Sequence, residues 1–330
     1  MQKLKKKPPN RNDLAKSIAN IPPEYKEDVK EMSLKMMSHR AYGEPYEWST
    51  KDFEMGAPLG RGKFGRVYLA REVTSKYIVA MKVMFKAEIQ KGNVQRQVLR
   101  EIEIQSRLKH PNILRLLTWF HDDTRIYLAL EIASEGELYR HLREAKRFDE
   151  FRSAKYTYQV ADALNYCHLN NVIHRDLKPE NILLTSSDDV KLADFGWSAH
   201  TLSNKRKTMC GTIDYLPPEM VDNHTYDDSV DQWCLGILCY EFLVGCPPFE
   251  SSDTKITYEK IRRLDVHYPS FLSVLAKDLI SKLLRKPGDA RITLVDVMKH
   301  PWVKENMQKR NDLLSERALK AKELTSVNIN

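Results

Sequence analysis

An α+β protein of two lobes, a small β-rich lobe carrying one regulatory helix and then a larger helical lobe, is the fold class this sequence predicts. Three observations predict it. Strand-like stretches crowd the region between residues 53 and 133, at Phe53 to Leu59, Val67 to Arg71, Val79 to Val83 and Tyr127 to Ala133. One helical stretch, about 94–109, interrupts them. Beyond Ser134 the chain becomes mostly helical, with long runs near 151–170, 229–244 and 272–284 and no internal repeat.

Composition fits that class. The chain has 330 residues, 42% apolar and 30% charged, which suits one two-lobed globular core with short extensions, and no apolar run reaches membrane-spanning length. Met1 to Asn10 is lysine-rich and runs into Pro8-Pro9 without an apolar stretch, so no secretory signal is read and an intracellular protein is expected. Five cysteines without paired metal spacing are expected to be reduced thiols. The net charge of +8 is uneven, because residues 1–40 hold ten Lys/Arg against five Asp/Glu. The domain reading is a basic, partly disordered arm over 1–46, a small lobe over 47–131, a large lobe over 132–304 and a tail over 305–330. Within the arm, Lys3 to Lys7 reads as solvated charge rather than a nucleic-acid or nuclear-import patch, and Glu24 to Ser38 has helical spacing.

Each element of the small lobe carries a chemical clue. Gly60-Arg61-Gly62-Lys63-Phe64-Gly65-Arg66-Val67 joins the first two strands, and such glycines let a hairpin backbone close over triphosphate oxygens. A dinucleotide turn would need a helix directly afterwards, whereas Val67-Tyr68-Leu69-Ala70 continues as strand. Val79-Ala80-Met81-Lys82-Val83 sets one lysine in an apolar strand, where a charge is costly without a partner. Lys82 therefore wants a carboxylate and phosphates. The following helix offers Glu101 and Glu103, the second read as a solvated helix-face charge.

The densest chemistry lies in His174-Arg175-Asp176-Leu177-Lys178-Pro179-Glu180-Asn181, followed by Asp194-Phe195-Gly196. A base, a phosphate cation and two metal ligands stand there at the spacing that phosphoryl transfer requires. In this order, and with the glycine series and Lys82 upstream, the chain resembles the protein kinases. The resemblance implies ATP and Mg²⁺ as cofactors, with Asp176 accepting the hydroxyl proton, Lys178 steadying the γ-phosphate, Asn181 and Asp194 holding metal, and Lys82 paired with Glu101. It implies ATP binding by Leu59, Gly60, Gly62, Lys63, Gly65, Val67, Ala80, Lys82 and Leu130. Backbone groups of Glu131 to Ala133, through Ile132, would take the adenine, with Glu180, Asn181, Leu183 and Asp194 completing the set. Lys178 and Gly211-Thr212 resemble serine/threonine kinases, and Glu180 resembles the carboxylate with which basophilic kinases hold a substrate arginine. A pseudokinase scaffold is the contrasting reading, and it has no need to retain Lys82, Asp176, Asn181 and Asp194 together.

The activation segment narrows the resemblance. Asp194-Phe195-Gly196-Trp197-Ser198-Ala199-His200, Lys205-Arg206-Lys207-Thr208-Met209-Cys210-Gly211-Thr212 and Asp214-Tyr215-Leu216-Pro217-Pro218-Glu219-Met220 closely resemble the Aurora mitotic kinases, over about Phe53 to Trp302. That resemblance implies phosphorylation of Thr208 with Arg175, Arg206 and Arg100 as partners of the phosphate. Arg206 stands two residues before Thr208, so the chain carries the pattern such kinases accept in a substrate, Arg two residues before Ser or Thr. It also implies a spindle-assembly or passenger activator docking by Tyr77, Val79, Val98, Trp119 and His121. Work in the cytoplasm, at centrosome, spindle and microtubules, or in the nucleus on chromosomes, follows from the same resemblance; neither membrane nor nucleic acid is expected as a partner. Ile132 departs from the aromatic residue usual after the hinge glutamate. Lys207-Thr208-Met209 and Gly136-Glu137-Leu138 resemble the B type. The basic arm and the Gly43 to Trp48 lead-in resemble nematode A-type members, and on their weight the A type is expected.

Overall fold

The computed structural model describes residues 46–62, 65–196, 198–200 and 212–310. The chain divides into two compact units, one ending at Lys109 and resuming over Leu114–Ser134, the other formed by His110–Ile113 and everything from Glu135. The observed division after Ser134 lies three residues beyond the limit read from sequence. Residues 110–113 group with the second unit because Asn112 donates to Val190 O at 3.0 Å, its own carbonyl accepts from Leu192 N at 2.8 Å, and Ile113 bridges Leu192.

The first unit is an antiparallel sheet of β1 (Phe53–Gly62), β2 (Gly65–Glu72), β3 (Ile78–Phe85), β4 (Leu116–His121) and β5 (Arg125–Leu130), in the order β1-β2-β3-β5-β4. Helices α1 (Lys86–Lys91) and α2 (Gln95–Arg107) interrupt it after β3. Period-two alternation on β3 sends Val79, Met81 and Val83 into the core with Phe53, Phe120 and Tyr127, and leaves Ala80 and Lys82 half-buried on the opposite face. Phe120 stacks on Phe53 at 5.7 Å and on Tyr127 at 4.8 Å, so the meander is tied by rings as well as by its ladder. On α2 the buried positions Val98, Glu101, Ile102 and Gln105 follow helical spacing. Gly65 sits so close to β3 that a Cβ would fall 1.8 Å from the Val83 carbonyl oxygen, and no other residue fits there.

The second unit is mainly helical. Short strands β6 (Gly136–Glu137), β8 (Ile182–Leu184) and β9 (Val190–Leu192) form one small sheet, and β7 (Val172–Ile173) pairs with β10 (Ala199–His200). Around them lie α3 (Leu138–Ala145), α4 (Glu150–Leu169), α5 (Pro218–Val221), α6 (Ser229–Val244), α7 (Thr254–Arg263), α8 (Val274–Leu283) and α9 (Leu294–Lys299), with residues 301–310 also helical. Asp149 caps α4 by accepting from Arg152 N at 2.7 Å. Helix α6 is buried on every side, from Val230 and Trp233 to Phe242, and is the axle of the unit. It stops at Gly245, φ 97°, where a Cβ would meet the Lys146 carbonyl at 2.1 Å. No helix among the described residues is long and apolar enough to cross a membrane.

Candidate active site

In the first unit the two charged residues of the sequence reading meet. Strand β3 presents Lys82, α2 presents Glu101, and Lys82 Nζ donates to Glu101 Oε1 at 2.7 Å. Glu103 instead pairs with Arg107 in an exposed i,i+4 contact at 3.0 Å. Val67 stands opposite Lys82 in the β2–β3 ladder, and Ala80 lies between Leu69 and Leu130. Leu59 is exposed on β1, and Gly60 has open space about its Cα. Glu131, Ile132 and Ala133 follow β5 half-buried; Glu131 N donates to Arg115 O at 2.9 Å, and its carboxylate accepts from Arg115 N at 3.3 Å. Arg100 is exposed on α2.

In the second unit the loop after β7 is built around Asp176. Asn181 Nδ2 donates both to the Asp176 carbonyl at 2.7 Å and to its Oδ2 at 2.8 Å. Lys178 Nζ lies 3.3 Å from the same carboxylate and donates to Thr212 Oγ1 at 2.9 Å. Asp176, Lys178, Asn181 and Thr212 are thus joined in one polar group. Arg175 and Asp194 adopt left-handed backbone, φ 68° and 59°, a conformation costing on the order of 1–3 kcal/mol for such residues and held only by its surroundings. For Arg175 the restraint is plain: its N–H donates to Asp231 Oδ1 at 2.9 Å, and its side chain donates to Tyr226 OH at 2.9 Å. His174 N donates to the other Asp231 oxygen at 2.9 Å, and its ring lies edge-on to the fully buried Phe195.

Asp231 is fully buried on α6. Burial opposes its ionisation, but the hydrogen bond and charge of His168, with His174 and the Arg175 N–H, hold its carboxyl below the ordinary range. Nothing in the sequence reading singled out Asp231 or His168. Their importance depends on burial and on contacts 56 to 63 residues apart, and the local signal is an aspartate in the first turn of a mostly apolar helix.

The donors fit a hard cation. Both amide hydrogens of Asn181 point at Asp176, which leaves its carbonyl oxygen for a metal, and Asp194 is an exposed carboxylate whose Oδ1 accepts from Gly196 N at 3.2 Å. Among the described residues no group of three or more His, Cys, Asp or Glu is gathered that could hold a metal by itself. An amide oxygen and one carboxylate suit Mg²⁺, which takes few protein ligands and fills its shell with phosphate oxygens and water.

Glu241, also missed from sequence, forms an acidic group with Glu180, Asp214 and Glu250. Burial chiefly, then the charges of those three, push its carboxyl up to about 7, against a hydrogen bond donated by Tyr215 OH. Glu180 itself is exposed. Leu183 is half-buried on β8, opposite Lys191.

Two of the five residues expected to receive an activator are interior. Val79 and Val98 are buried, by strand alternation and by the inner stripe of α2. Trp119, 43% exposed, and His121 are on the outside and stack on each other at 6.4 Å, while Tyr77 packs partly against the core. Lys63, Trp197, Arg206 and Thr208 lie outside the described residues, as do residues 1–45 of the basic arm with the Glu24 to Ser38 stretch.

A glycine-bearing sheet with a paired strand lysine, and a helical unit with an Asp/Lys/Asn loop ahead of Asp-Phe-Gly, together define a protein kinase fold. Residues 53–303 match the family model described as protein kinase domain. Aurora kinase B of Drosophila melanogaster is 73% identical over 321 residues, 97% of each chain. Aurora kinase B-A of Xenopus laevis is 56% identical over 263 residues, 80% of this chain and 73% of its own. Aurora kinase A-B of the same frog is 50% identical over 299 residues, 91% and 73% respectively. The chain belongs to the protein kinase family and, within it, to the Aurora serine/threonine kinases. The weight given to the arm in favour of an A type is corrected by these figures. The match to the fly B-type kinase covers 321 of the 330 residues, so it runs through the arm as well.

Proposed function

We propose that this kinase transfers the γ-phosphate of ATP, with Mg²⁺, to serine or threonine, using Asp176 as the base. The observation that carries the reading is the restraint on Asp176, whose Oδ2 is 2.8 Å from Asn181 Nδ2 and 3.3 Å from Lys178 Nζ. Asp176 is thereby aimed to accept the proton of an incoming hydroxyl, while Lys178, tied to Thr212, balances charge gathering on the transferred group. Mg²⁺ supplies charge neutralisation at the phosphates when bound, with Asn181 and Asp194 as its ligands. Lys82, positioned by Glu101, takes phosphate oxygens, and the backbone of Glu131 to Ala133 takes the adenine.

Glu180, with Glu241 as a second carboxylate, selects Arg two residues before the acceptor, and such a charge-assisted pair contributes on the order of 1.5–3 kcal/mol. Phosphorylation of Thr208, the segment's own Arg-containing acceptor, switches the enzyme on by giving Arg175, Arg206 and Arg100 a phosphate to bind. An aromatic-rich activator docks on the first unit beside Trp119 and His121. Transfer to a basic Ser/Thr peptide, lost in Asp176→Asn and weakened about tenfold when the peptide arginine is replaced by alanine, tests this reading. A Thr208-phosphorylated wild type no faster than Asp176→Asn overturns it.

The similarity to Aurora kinase B supports a chromosomal-passenger role in mitosis over a centrosomal one. Tagged protein in dividing cells is expected at centromeres and then at the spindle midzone. Concentration at spindle poles would overturn the B-type assignment.

A further inference from the structure

Arg152, Lys155, Tyr156 and Gln159 of α4 stand at i, i+3, i+4 and i+7, the spacing of one helix face, and a face turned inward is ordinarily apolar. Here all four are spent on the turn 185–189, which holds none of the residues assigned to catalysis. Arg152 Nη2 donates to Asp188 Oδ1 at 2.8 Å and Tyr156 OH donates to the same oxygen, while Lys155 Nζ donates to the Asp188 carbonyl and lies 3.0 Å from Asp189 Oδ1. Gln159 donates to Asp189 at 2.7 Å and accepts from Val190 N at 3.0 Å. The Lys155 side chain is only 7% exposed and Tyr156 is fully buried, so the grouping costs desolvation that a plain surface turn does not require.

That turn is the closed end of the β8–β9 hairpin, and Asn181 and Asp194 stand at the open end of the same hairpin. Ile182 faces Leu192, Leu183 faces Lys191 and Leu184 faces Val190, and beyond them Ala193 N donates to the Asn181 carbonyl at 2.8 Å. A ladder of three pairs carries a shift at its turn to its other end. Apolar burial of Ile182, Leu184, Val190 and Leu192 keeps the hairpin on the core, whereas the directional bonds at the turn fix where along that surface it stops. We propose that Asp188 is a positioning residue for the metal: clasped by α4, it fixes the hairpin along its length and so sets the Asn181 carbonyl oxygen and the Asp194 carboxylate where one cation can take both. It rests on Asn181 and Asp194 being the metal ligands. Asp188 suits the place because its backbone is left-handed, φ 60°, a conformation that aspartate and asparagine tolerate better than most side chains. Arg310 of the terminal helix faces the same carboxylate at 3.7 Å, beyond hydrogen-bond reach, so α4 supplies the hold.

The experiment compares the full-length wild type with Asp188→Gly, Asp188→Asn, Lys155→Met and Asp194→Asn. It reads Mn²⁺ binding to the ADP complex by electron paramagnetic resonance, ADP binding without metal, and the Mg²⁺ dependence of kcat. Asp188→Gly removes the carboxylate while glycine keeps the left-handed backbone without strain. In that variant Mn²⁺ should bind about threefold to tenfold more weakly, somewhat less than the roughly tenfold to hundredfold cost of removing a direct partner of a metal ligand, and the Mg²⁺ needed for half-maximal rate should rise in proportion. ADP without metal should bind within about twofold of wild type, which a general loosening of the fold would not leave. Lys155→Met should follow Asp188→Gly, whereas Asp188→Asn, which keeps an acceptor oxygen for Arg152 and Tyr156, should stay within about twofold of wild type. Should Lys155→Met not fold, the two Asp188 variants decide the matter. Wild-type Mn²⁺ affinity in a folded Asp188→Gly, an equal loss of metal-free ADP binding, or an Asp188→Asn no better than Asp188→Gly each overturns the proposal. A silent Asp188→Gly beside an Asp194→Asn that has lost Mn²⁺ would remove the positioning role alone, whereas an Asp194→Asn that binds Mn²⁺ as wild type does would remove the ligand assignment itself.

Discussion

Lys82 and Glu101 meet through one contact between side chains that are 24% and 8% exposed, whereas the loop around Asp176 hangs from a carboxylate with no exposure at all. The first arrangement joins a strand to a helix by an ion pair whose lysine is partly exposed. The second joins α4, α6 and the loop through Asp231, and then Asp176, Lys178, Asn181 and Thr212 through their own bonds. A single partly wetted pair is made or broken without unfolding anything, so it suits regulation from outside. A buried carboxylate with three N–H donors is not released without uncovering all of them, so it suits a part that must never move.

The sharpest way to break that contrast is to remove its buried anchor. Asp231→Ala leaves the His174 and Arg175 N–H groups and the His168 ring unsatisfied in the interior, and is expected to cost about 3–5 kcal/mol with activity lost more than about a hundredfold. Denaturant unfolding beside a turnover assay checks it, and a cost under about 1 kcal/mol would erase the distinction. Next comes Val98→Asp, expected to destabilise by about 3 kcal/mol because an unpaired carboxylate enters the inner stripe of α2. Trp119→Asp, on the exposed side of the same unit, should change stability by no more than about 0.5 kcal/mol while weakening an activator fragment. Equal destabilisation by the two would refute the division of that surface into supporting and contacting residues.

A pH series sharpens the comparison further. Glu241 titrates at about 7 in the folded protein and near 4.5 when exposed, so the folded form prefers the proton. The stability this preference confers is complete below about pH 4.5 and is lost as the pH rises through about 7, by up to roughly 3 kcal/mol at 1.36 kcal/mol per pKa unit. Glu241→Gln should flatten that slope, read as the change in unfolding free energy between pH 5 and pH 8. A small change in stability is also expected for Glu101→Gln, under about 1 kcal/mol, since its partner is partly exposed. Its kcat should nonetheless fall about tenfold or more. A large loss of stability there would mean that the pair is structural rather than adjustable.

The long elements were legible in the sequence because their patterns are local. The run 229–244 is mostly apolar and became α6 with those ends, and Val79 to Val83 alternates as β3 does. Strand β4 was not read, since Leu117-Thr118-Trp119 mixes faces around a register shift between Leu116 and Thr118. Charged residues of the loop could be named from order alone, because phosphoryl transfer restricts which types stand at which spacing. His168, Asp231 and Glu241 could not, for each is defined by a partner dozens of residues away and by burial that no spacing encodes. Val79 and Val98 illustrate the converse: two residues named from likeness to a family are buried, which spacing did not show.

Tyr46 and Trp48 precede the first residue matched to the kinase domain, yet they are part of the folded body. Tyr46 OH donates to Asp52 at 2.9 Å, Asp52 and Ser49 cap each other around a short turn, and Trp48 lies against Phe53 with ring centres 5.5 Å apart. A fragment begun at Phe53 would strip that aromatic cover from the end of the Phe53, Phe120 and Tyr127 stack and leave an oily strand edge facing water. For anyone preparing the catalytic domain alone, the workable start of the chain is therefore Tyr46 or earlier, seven residues ahead of where the kinase-domain match begins.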